Sequence, residues 1–164
     1  MKKLLCTVAV AGALVVPGAA QAQVVLGPMA GFHTEDAIDA FGIGAFASFE
    51  VPSLDENLSI TPSFIYYFPD DPRGYWELNG DVVYNFEVSP DTPVLPFAMA
   101  GLNIARFSVD LNGASDSDTE IGLNLGGGVT FRAANVEPFA GAKFELQDET
   151  GFVLFGGVGF PVGN

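Results

Sequence analysis

The residue with the clearest catalytic potential is His33, the only histidine, which is followed closely by Glu35 and Asp36. A histidine oriented by a carboxylate can take the proton of a serine hydroxyl and make the oxygen nucleophilic, provided that the groups lie within hydrogen-bond distance. Ser108 or Ser115 could supply that hydroxyl if the fold brought one of them to His33. Because no motif surrounds these residues, we interpret His33 as a polar residue at the rim of the fold and expect no catalytic residues.

A second possible chemistry is calcium binding by carboxylates in two acidic segments. The residues concerned are Asp70, Asp71, Asp116, Asp118 and Glu120. Neither segment contains the full Asp-x-Asp-x-Asp-Gly loop with a closing glutamate that binds calcium in helix-loop-helix sites. We therefore interpret both segments as solvated acidic loops and expect neither a metal nor a cofactor.

The whole chain is strongly acidic, with 20 Asp and Glu against 6 Lys and Arg and a net charge of −14. Phosphate binding needs positive charge, so nucleic acid is not an expected partner. Electrostatic binding to anionic lipid headgroups is disfavoured for the same reason. Dense surface carboxylates also keep proteins soluble at high salt, so the acidity indicates either a saline habitat or a function.

The N-terminal segment has the three parts of a secretory signal. Lys2 and Lys3 are followed by an apolar run over residues 4–16 and then by Ala20-Gln21-Ala22. The apolar run is too short to cross a bilayer as a helix, so we predict a cleaved signal over residues 1–22 and one domain over 23–164. Loss of the two lysines takes the net charge from −14 to −16, and loss of Cys6 leaves no thiol for a disulfide.

The predicted domain divides into eight runs of strand-like sequence separated by turn-rich or acidic links. The runs cover residues 25–33, 41–51, 58–68, 75–88, 94–109, 119–132, 137–146 and 152–160. Most are close to the roughly nine to eleven residues that a tilted strand needs to cross a bilayer. No run places apolar residues at helical spacing, which favours an all-β fold.

Apolar and polar residues alternate within these runs. In the sixth run Ile121, Leu123 and Leu125 share one face, whereas Asn124 and Gly126 lie on the other. A soluble sheet also alternates, but the polar faces here are rich in Gly, Ser, Asn and Thr, which fit a narrow lumen better than a packed core. We therefore predict an eight-stranded antiparallel up-and-down transmembrane β-barrel with its apolar face toward lipid.

The predicted lumen contains an ionic set that must be paired or hydrated, since an isolated buried charge costs several kcal/mol or so. Its members are Glu77, Asp81, Glu120, Arg132, Lys143 and Glu145. We interpret the set as a salt-bridge plug. The alternative is a narrow ion path, which needs a continuous water route and would favour cations because acids outnumber bases in the set.

Two features of the strands are harder to place. In the fifth run Phe97 and Met99 have the opposite parity to Leu102, which predicts either a bulge near Gly101 or two lumen-facing side chains. Prolines also lie within or at the start of runs, at positions 28, 62, 96 and 138. Because proline removes a backbone donor, we expect bulges or strand starts at these positions.

The links should alternate between the two sides of the membrane. With a periplasmic N-terminus, the outer links are residues 34–40, 69–74, 110–118 and 147–151. Their acids are Glu35, Asp36, Asp39, Asp70, Asp71, Asp110, Asp116, Asp118, Asp148 and Glu149, against Arg73 alone. We therefore expect a strongly acidic outer rim.

Three segments carry a resemblance to a known family. They are Leu95-Pro96-Phe97-Ala98-Met99-Ala100-Gly101-Leu102, the Gly-rich run over residues 122–132, and Val136-Glu137-Pro138-Phe139-Ala140-Gly141-Ala142-Lys143-Phe144. These resemble strands of the small eight-stranded outer-membrane barrels of the OmpA, OmpX and opacity-protein type, and the likeness covers the whole predicted domain. The resemblance implies a monomer in outer-membrane lipid that the outer-membrane assembly machinery inserts.

The function expected from these observations is a structural or surface-contact role in the cell envelope, without enzymatic activity and with an unknown surface ligand. Three alternatives stay open. They are a narrow cation-leaning, porin-like channel, a lipid-modifying enzyme built on His33, and a soluble ligand-binding barrel of lipocalin type. The last predicts apolar side chains and a cavity inside the barrel.

Overall fold

The computed structural model describes residues 23–34, 39–70, 73–89, 91–111, 114–133 and 135–162, with the side chains of residues 110, 111, 114 and 115 left undescribed. The predicted signal over residues 1–22 and the acids Glu35, Asp36 and Asp71 lie outside the described residues. No helix in the described ranges is long and apolar enough to cross a membrane.

The described chain forms one closed antiparallel barrel in which each strand pairs with its sequence neighbours and β8 pairs with β1. The strands are β1 (Val24–Thr34), β2 (Ala40–Glu50), β3 (Leu58–Tyr67), β4 (Arg73–Asn85), β5 (Val94–Leu111), β6 (Ala114–Phe131), β7 (Glu137–Leu146) and β8 (Thr150–Val162). Closure leaves no free edge around the wall of the barrel. The predicted number of strands and their order are confirmed. We call the end that holds Val24 and Val162 the terminal end, and the other the opposite end.

One predicted link is wrong. The sequence predicts an acidic loop over residues 110–118, but β5 and β6 pair from Val94 with Phe131 to Leu111 with Ala114. Ser and Thr alternate with Asp in this stretch, and such residues are common in loops. Pairing with β5 nevertheless holds the stretch in a strand. The neighbouring pairing of β6 with β7 begins only at Leu123, so the β5–β6 hairpin extends beyond β7 at the opposite end.

The apolar face points outward, as the alternation predicts. Leu125 exposes 50% of its surface, whereas the adjacent Asn124 exposes 1%. Leu123 and Val82 are also exposed, and Glu77, Asn79 and Lys143 are buried. A soluble barrel would have the reverse arrangement, because water would expel the apolar side chains into the interior. The lipocalin-type soluble alternative is therefore not supported.

The ambiguous fifth strand keeps one register. Its pairing with β4 runs without interruption from Val109 to Phe97, so there is no bulge at Gly101. Phe97 is buried in the lumen, and Met99 lines a cavity there. The second of the two predicted alternatives is confirmed.

The prolines interrupt hydrogen bonding without shifting the register. The pairing of β1 with β8 skips from Leu26 to Met29, across Pro28, and that of β2 with β3 skips from Ser63 to Ile60, across Pro62. The predicted bulges are therefore wrong at these two positions, because omitting a ladder bond is sufficient to accommodate the missing N–H. Pro96 is the third residue of β5 and Pro138 is the second residue of β7, so both lie at strand starts, as expected.

Each of four inward-facing phenylalanines lies directly opposite a glycine on the neighbouring strand. The pairs are Phe46 with Gly27, Phe97 with Gly128, Phe139 with Gly157 and Phe155 with Gly141. For the last three pairs, a Cβ built on the glycine would lie 2.6–2.7 Å from the Cζ of the ring. The rings therefore cover the glycines and lie against the wall of the barrel, as in aromatic rescue of glycine in designed sheets.

This packing predicts that Gly141→Ala lowers the free energy of unfolding by about 1–3 kcal/mol, because the new methyl group overlaps the Phe155 ring. Gly80→Ala is the matched control, since a Cβ at Gly80 has nothing within 4 Å and should not destabilise the strand. Urea unfolding in lipid vesicles, followed by fluorescence, measures both. Equal stability of the two variants would contradict the packing.

Candidate functional site in the barrel lumen

Four buried ionisable side chains meet in the opposite half of the lumen, and we call them the lumen ion cluster: His33, Glu77, Lys143 and Glu145. Lys143 Nζ lies 3.4 Å from Glu77 Oε2 and also contacts Glu145 Oε1. His33 Nε2 hydrogen-bonds to Glu145 Oε2 at 3.2 Å and lies 3.8 Å from Glu77 Oε1. One ammonium thus joins two carboxylates, with the imidazole against both.

The cluster spans the barrel because its members come from β1, β4 and β7. Lys143 and Glu145 are two residues apart on β7, so the pleat points both inward. Glu77 reaches them from β4, which is separated from β7 by two strands on one side and four on the other. The ion pair between Glu77 and Lys143 therefore crosses the lumen.

An amide layer continues the cluster toward the middle of the barrel. Lys143 Nζ donates to Asn79 Oδ1 at 2.8 Å. Asn124 Nδ2 donates to Asn79 Oδ1 and to Asp81 Oδ1, each at 2.9 Å. Asp81 is thereby linked to the cluster through hydrogen bonds, and the described residues provide no ion pair for it.

Two tyrosines close the cluster on the side of the opposite end. Tyr67 and Tyr75 face each other across β3 and β4, and both pack edge-on against the His33 ring, with centroids 5.6 and 5.4 Å away. Ala40, Ile65 and Ala105 complete this buried group. The cluster is thus enclosed by aromatic and aliphatic side chains, which strengthens its electrostatic interactions by excluding water.

The structure brings together only part of the predicted ionic set. Glu77, Lys143 and Glu145 meet, and Asp81 lies next to them. Glu120 is partly exposed in the part of β6 that pairs only with β5. Arg132 is exposed beyond the end of β6, where its Nη1 donates to Thr92 O at 3.5 Å.

The prediction for His33 is wrong. Its side chain is 1% exposed and bonds to Glu145 inside the lumen, instead of lying at a polar rim. The parity of the first strand could have revealed this, because Gly27, Gly31 and His33 share one face. Of the two serines considered as nucleophiles, Ser108 donates its hydroxyl to Gly74 O at 3.3 Å. The side chain of Ser115 is not described.

Metal binding is limited to one arrangement within the described ranges. There, only His33, Glu77 and Glu145 place potential ligand atoms within 4.8 Å of one another. The Lys143 ammonium contacts the carboxylates of both Glu77 and Glu145, so these carboxylates are engaged in ion pairs. The acids of the predicted outer loops whose side chains are described, namely Asp39, Asp70, Asp116, Asp118, Asp148 and Glu149, are exposed.

Comparison with known proteins agrees with this architecture. Residues 6–154 match the family described as "outer membrane protein beta-barrel domain", and the chain belongs to this family. It is therefore an outer-membrane β-barrel. No curated protein is significantly similar to it in sequence.

Solved structures show the same fold at low sequence identity. The N-terminal β-barrel domain of OprF from Pseudomonas aeruginosa has a TM-score of 0.70 and 17% identity, covering 85% of this chain and 97% of that one. Neisserial surface protein A has a TM-score of 0.69 and 20% identity, covering 86% and 97%. Ail, the attachment invasion locus protein of Yersinia pestis, has a TM-score of 0.62 and 15% identity, covering 86% and 97%.

Proposed function

We propose that this chain is a non-enzymatic structural barrel of the outer membrane, exported through a cleaved N-terminal signal and closed to ions by the lumen ion cluster. The observation that supports it best is the buried contact of Lys143 with Glu77 and Glu145 across the lumen. Charges held at this proximity in a dry interior are costly to separate. The ion pair between Glu77 and Lys143 therefore links β4 to β7 across the lumen.

The same geometry supports a non-enzymatic role. A general base must reach the hydroxyl that it deprotonates. The described hydrogen bond of His33 Nε2 goes to Glu145, and Tyr67 and Tyr75 cover the imidazole. A lipid substrate at the outer surface would not reach this buried ring. We propose that the barrel instead contributes to envelope integrity or surface contact, with outer-membrane lipid and the assembly machinery as its partners.

Planar-bilayer recording tests the closed lumen. The wild-type protein should insert without producing steady single-channel steps, because the ion cluster and the two tyrosines obstruct the path. Insertion is verified independently by the shift in gel migration on heating, which folded barrels show. Steady steps from verified, inserted protein would contradict the closed lumen.

A narrow cation-leaning channel is the second candidate function. Two carboxylates share one ammonium in the cluster. In addition, neither side-chain amide atom of the buried Asn103 has a hydrogen-bond partner in the described structure. Buried amides of this kind commonly bond to water. If the recording above gave steps with a cation-selective reversal potential in a KCl gradient, this candidate would replace the first.

A further inference from the structure

The terminal half of the lumen differs in chemistry from the half that holds the ion cluster. It contains a cavity of about 300 Å³, lined by residues near the terminal ends of most strands. This volume is at the lower end of the range for small-molecule pockets. Glu50, Arg132 and Glu137 lie around its mouth, and Asp81 and Lys143 lie at its inner end.

Part of the cavity wall is aromatic, and the rest of the lining includes Ser, Thr and Asn side chains. Phe46, Phe97, Phe139 and Phe155 line it, and Phe46 packs edge-on against Phe139 with a centroid distance of 4.9 Å. Phe155 lies 6.5 Å from Phe97 and 6.3 Å from Phe139 between centroids. Because three of these rings cover glycines on adjacent strands, they lie along the wall and leave space near the barrel axis. Water-accessible aromatic faces around a cavity favour an apolar ligand.

The inner end of the cavity carries negative charge that can be paired. The Lys143 ammonium is already engaged by Glu77, Glu145 and Asn79. Asp81 accepts only the amide of Asn124 among its described contacts, and no ion pair to it is described. At the mouth, two carboxylates accompany one guanidinium. A bound cation would therefore meet a favourable potential both on entry and at the inner end.

We propose that the terminal half of the barrel is a binding pocket for a small organic cation with an apolar body. The cationic group pairs with the Asp81 carboxylate, and the body packs against the four phenylalanine rings. Aromatic faces also attract cations through their quadrupoles. The ion cluster closes the pocket toward the opposite end, so the ligand enters and leaves through the mouth at the terminal end.

The two cavity methionines allow a direct test. The sequence has three methionines, and Met29 and Met99 both line the pocket, while Met1 lies outside the described residues. The protein is labelled with ¹³C at the methionine methyl groups, purified from outer membranes and placed in phosphatidylcholine nanodiscs. Benzyltrimethylammonium is then titrated. The Met29 and Met99 signals, assigned with Met29→Leu and Met99→Leu variants, should shift in a saturable manner.

Two comparisons decide the role of the charge. Benzenesulfonate, an anion with the same aromatic body, should bind at least about tenfold more weakly than the cation. Asp81→Asn should lower the affinity for the cation by about tenfold, the equivalent of losing a charge-assisted contact. Asp91→Asn is the matched control, because Asp91 is exposed in a terminal-end turn outside the cavity lining, and it should leave the affinity unchanged.

Other outcomes would overturn the proposal. Absence of saturable shifts with the wild-type protein would show that the cavity is not a pocket for this class of ligand. Equal affinities for the cation and the anion would contradict recognition by Asp81, and this comparison needs no variant. Bilayer recording reports separately on the closed lumen, so failure of the pocket and failure of the proposed function can be distinguished.

Discussion

Lys143→Met is expected to lower the free energy of unfolding by about 3–5 kcal/mol, the usual cost of removing one partner from a buried ion pair. The substitution keeps most of the side-chain volume but leaves Glu77 and Glu145 buried near each other without the ammonium that joins them. Urea unfolding in lipid vesicles measures the loss. Trp76, the only tryptophan in the chain, provides the fluorescence signal.

The matched control for this variant is Arg132→Met. Arg132 is an exposed cation with one long hydrogen bond, to Thr92 O, so its loss should change stability by no more than about 0.5 kcal/mol. The double variant Lys143→Met, Glu77→Gln should recover part of the loss, because it removes one of the two uncompensated charges. A similar small effect of Lys143→Met and Arg132→Met would show that the cluster does not stabilise the fold.

Leu125→Arg should lower the free energy of unfolding in a bilayer by about 2–4 kcal/mol, the cost of an arginine on the lipid face at the midplane. Leu125 points outward and lies near the middle of the apolar residues of β6, between Ile121 and Phe131. The expected loss follows from placing a guanidinium in hydrocarbon. Equilibrium folding into vesicles at graded urea concentrations measures it.

The same substitution at the end of the apolar band is the control. Phe131 also faces outward but is the last residue of β6, so Phe131→Arg should cost only about 0–1 kcal/mol. Equal losses at the two positions would mean that the outer face does not sense a hydrocarbon interior, which would contradict the membrane orientation.

The parts of the fold that local patterns determine could be predicted from the sequence. Alternation with period two distinguishes the face of Leu123 from the face of Asn124, and turn-forming or acidic links separate the strands. Eight strands and the outward apolar face follow from these two signals. The boundary of β6 could not be predicted, because its first residues are polar and are held in a strand only by pairing with β5.

The lumen ion cluster was harder to predict, because it depends on which inward-facing residues lie at the same height along the barrel axis. Glu77 and Lys143 belong to strands that are not adjacent, and no local pattern reports how far each strand is staggered. Arg132 has lumen-facing parity but lies beyond the end of β6. The acidic residues next to His33 in the sequence indicate a polar rim, whereas the inward face of β1 on which His33 lies determines its burial.

The cavity depends on pairings that a single sequence does not reveal. Phe97 lies opposite Gly128, which is 31 positions away, because β5 and β6 form one long hairpin. The phenylalanines taken alone predict a filled interior. The pairing of each phenylalanine with a glycine on the adjacent strand shows that the rings lie against the barrel wall and leave space along the barrel axis.

The extended β5–β6 hairpin has a consequence for contacts between neighbouring copies. Along residues 114–122, β6 has no partner strand on its β7 side within the described ranges, so its amide and carbonyl groups there could accept another strand. Asp116, Asp118 and Glu120 occur at every second position of this stretch. If two copies aligned there edge to edge, carboxylates would face carboxylates, and their repulsion would oppose self-association of the barrels.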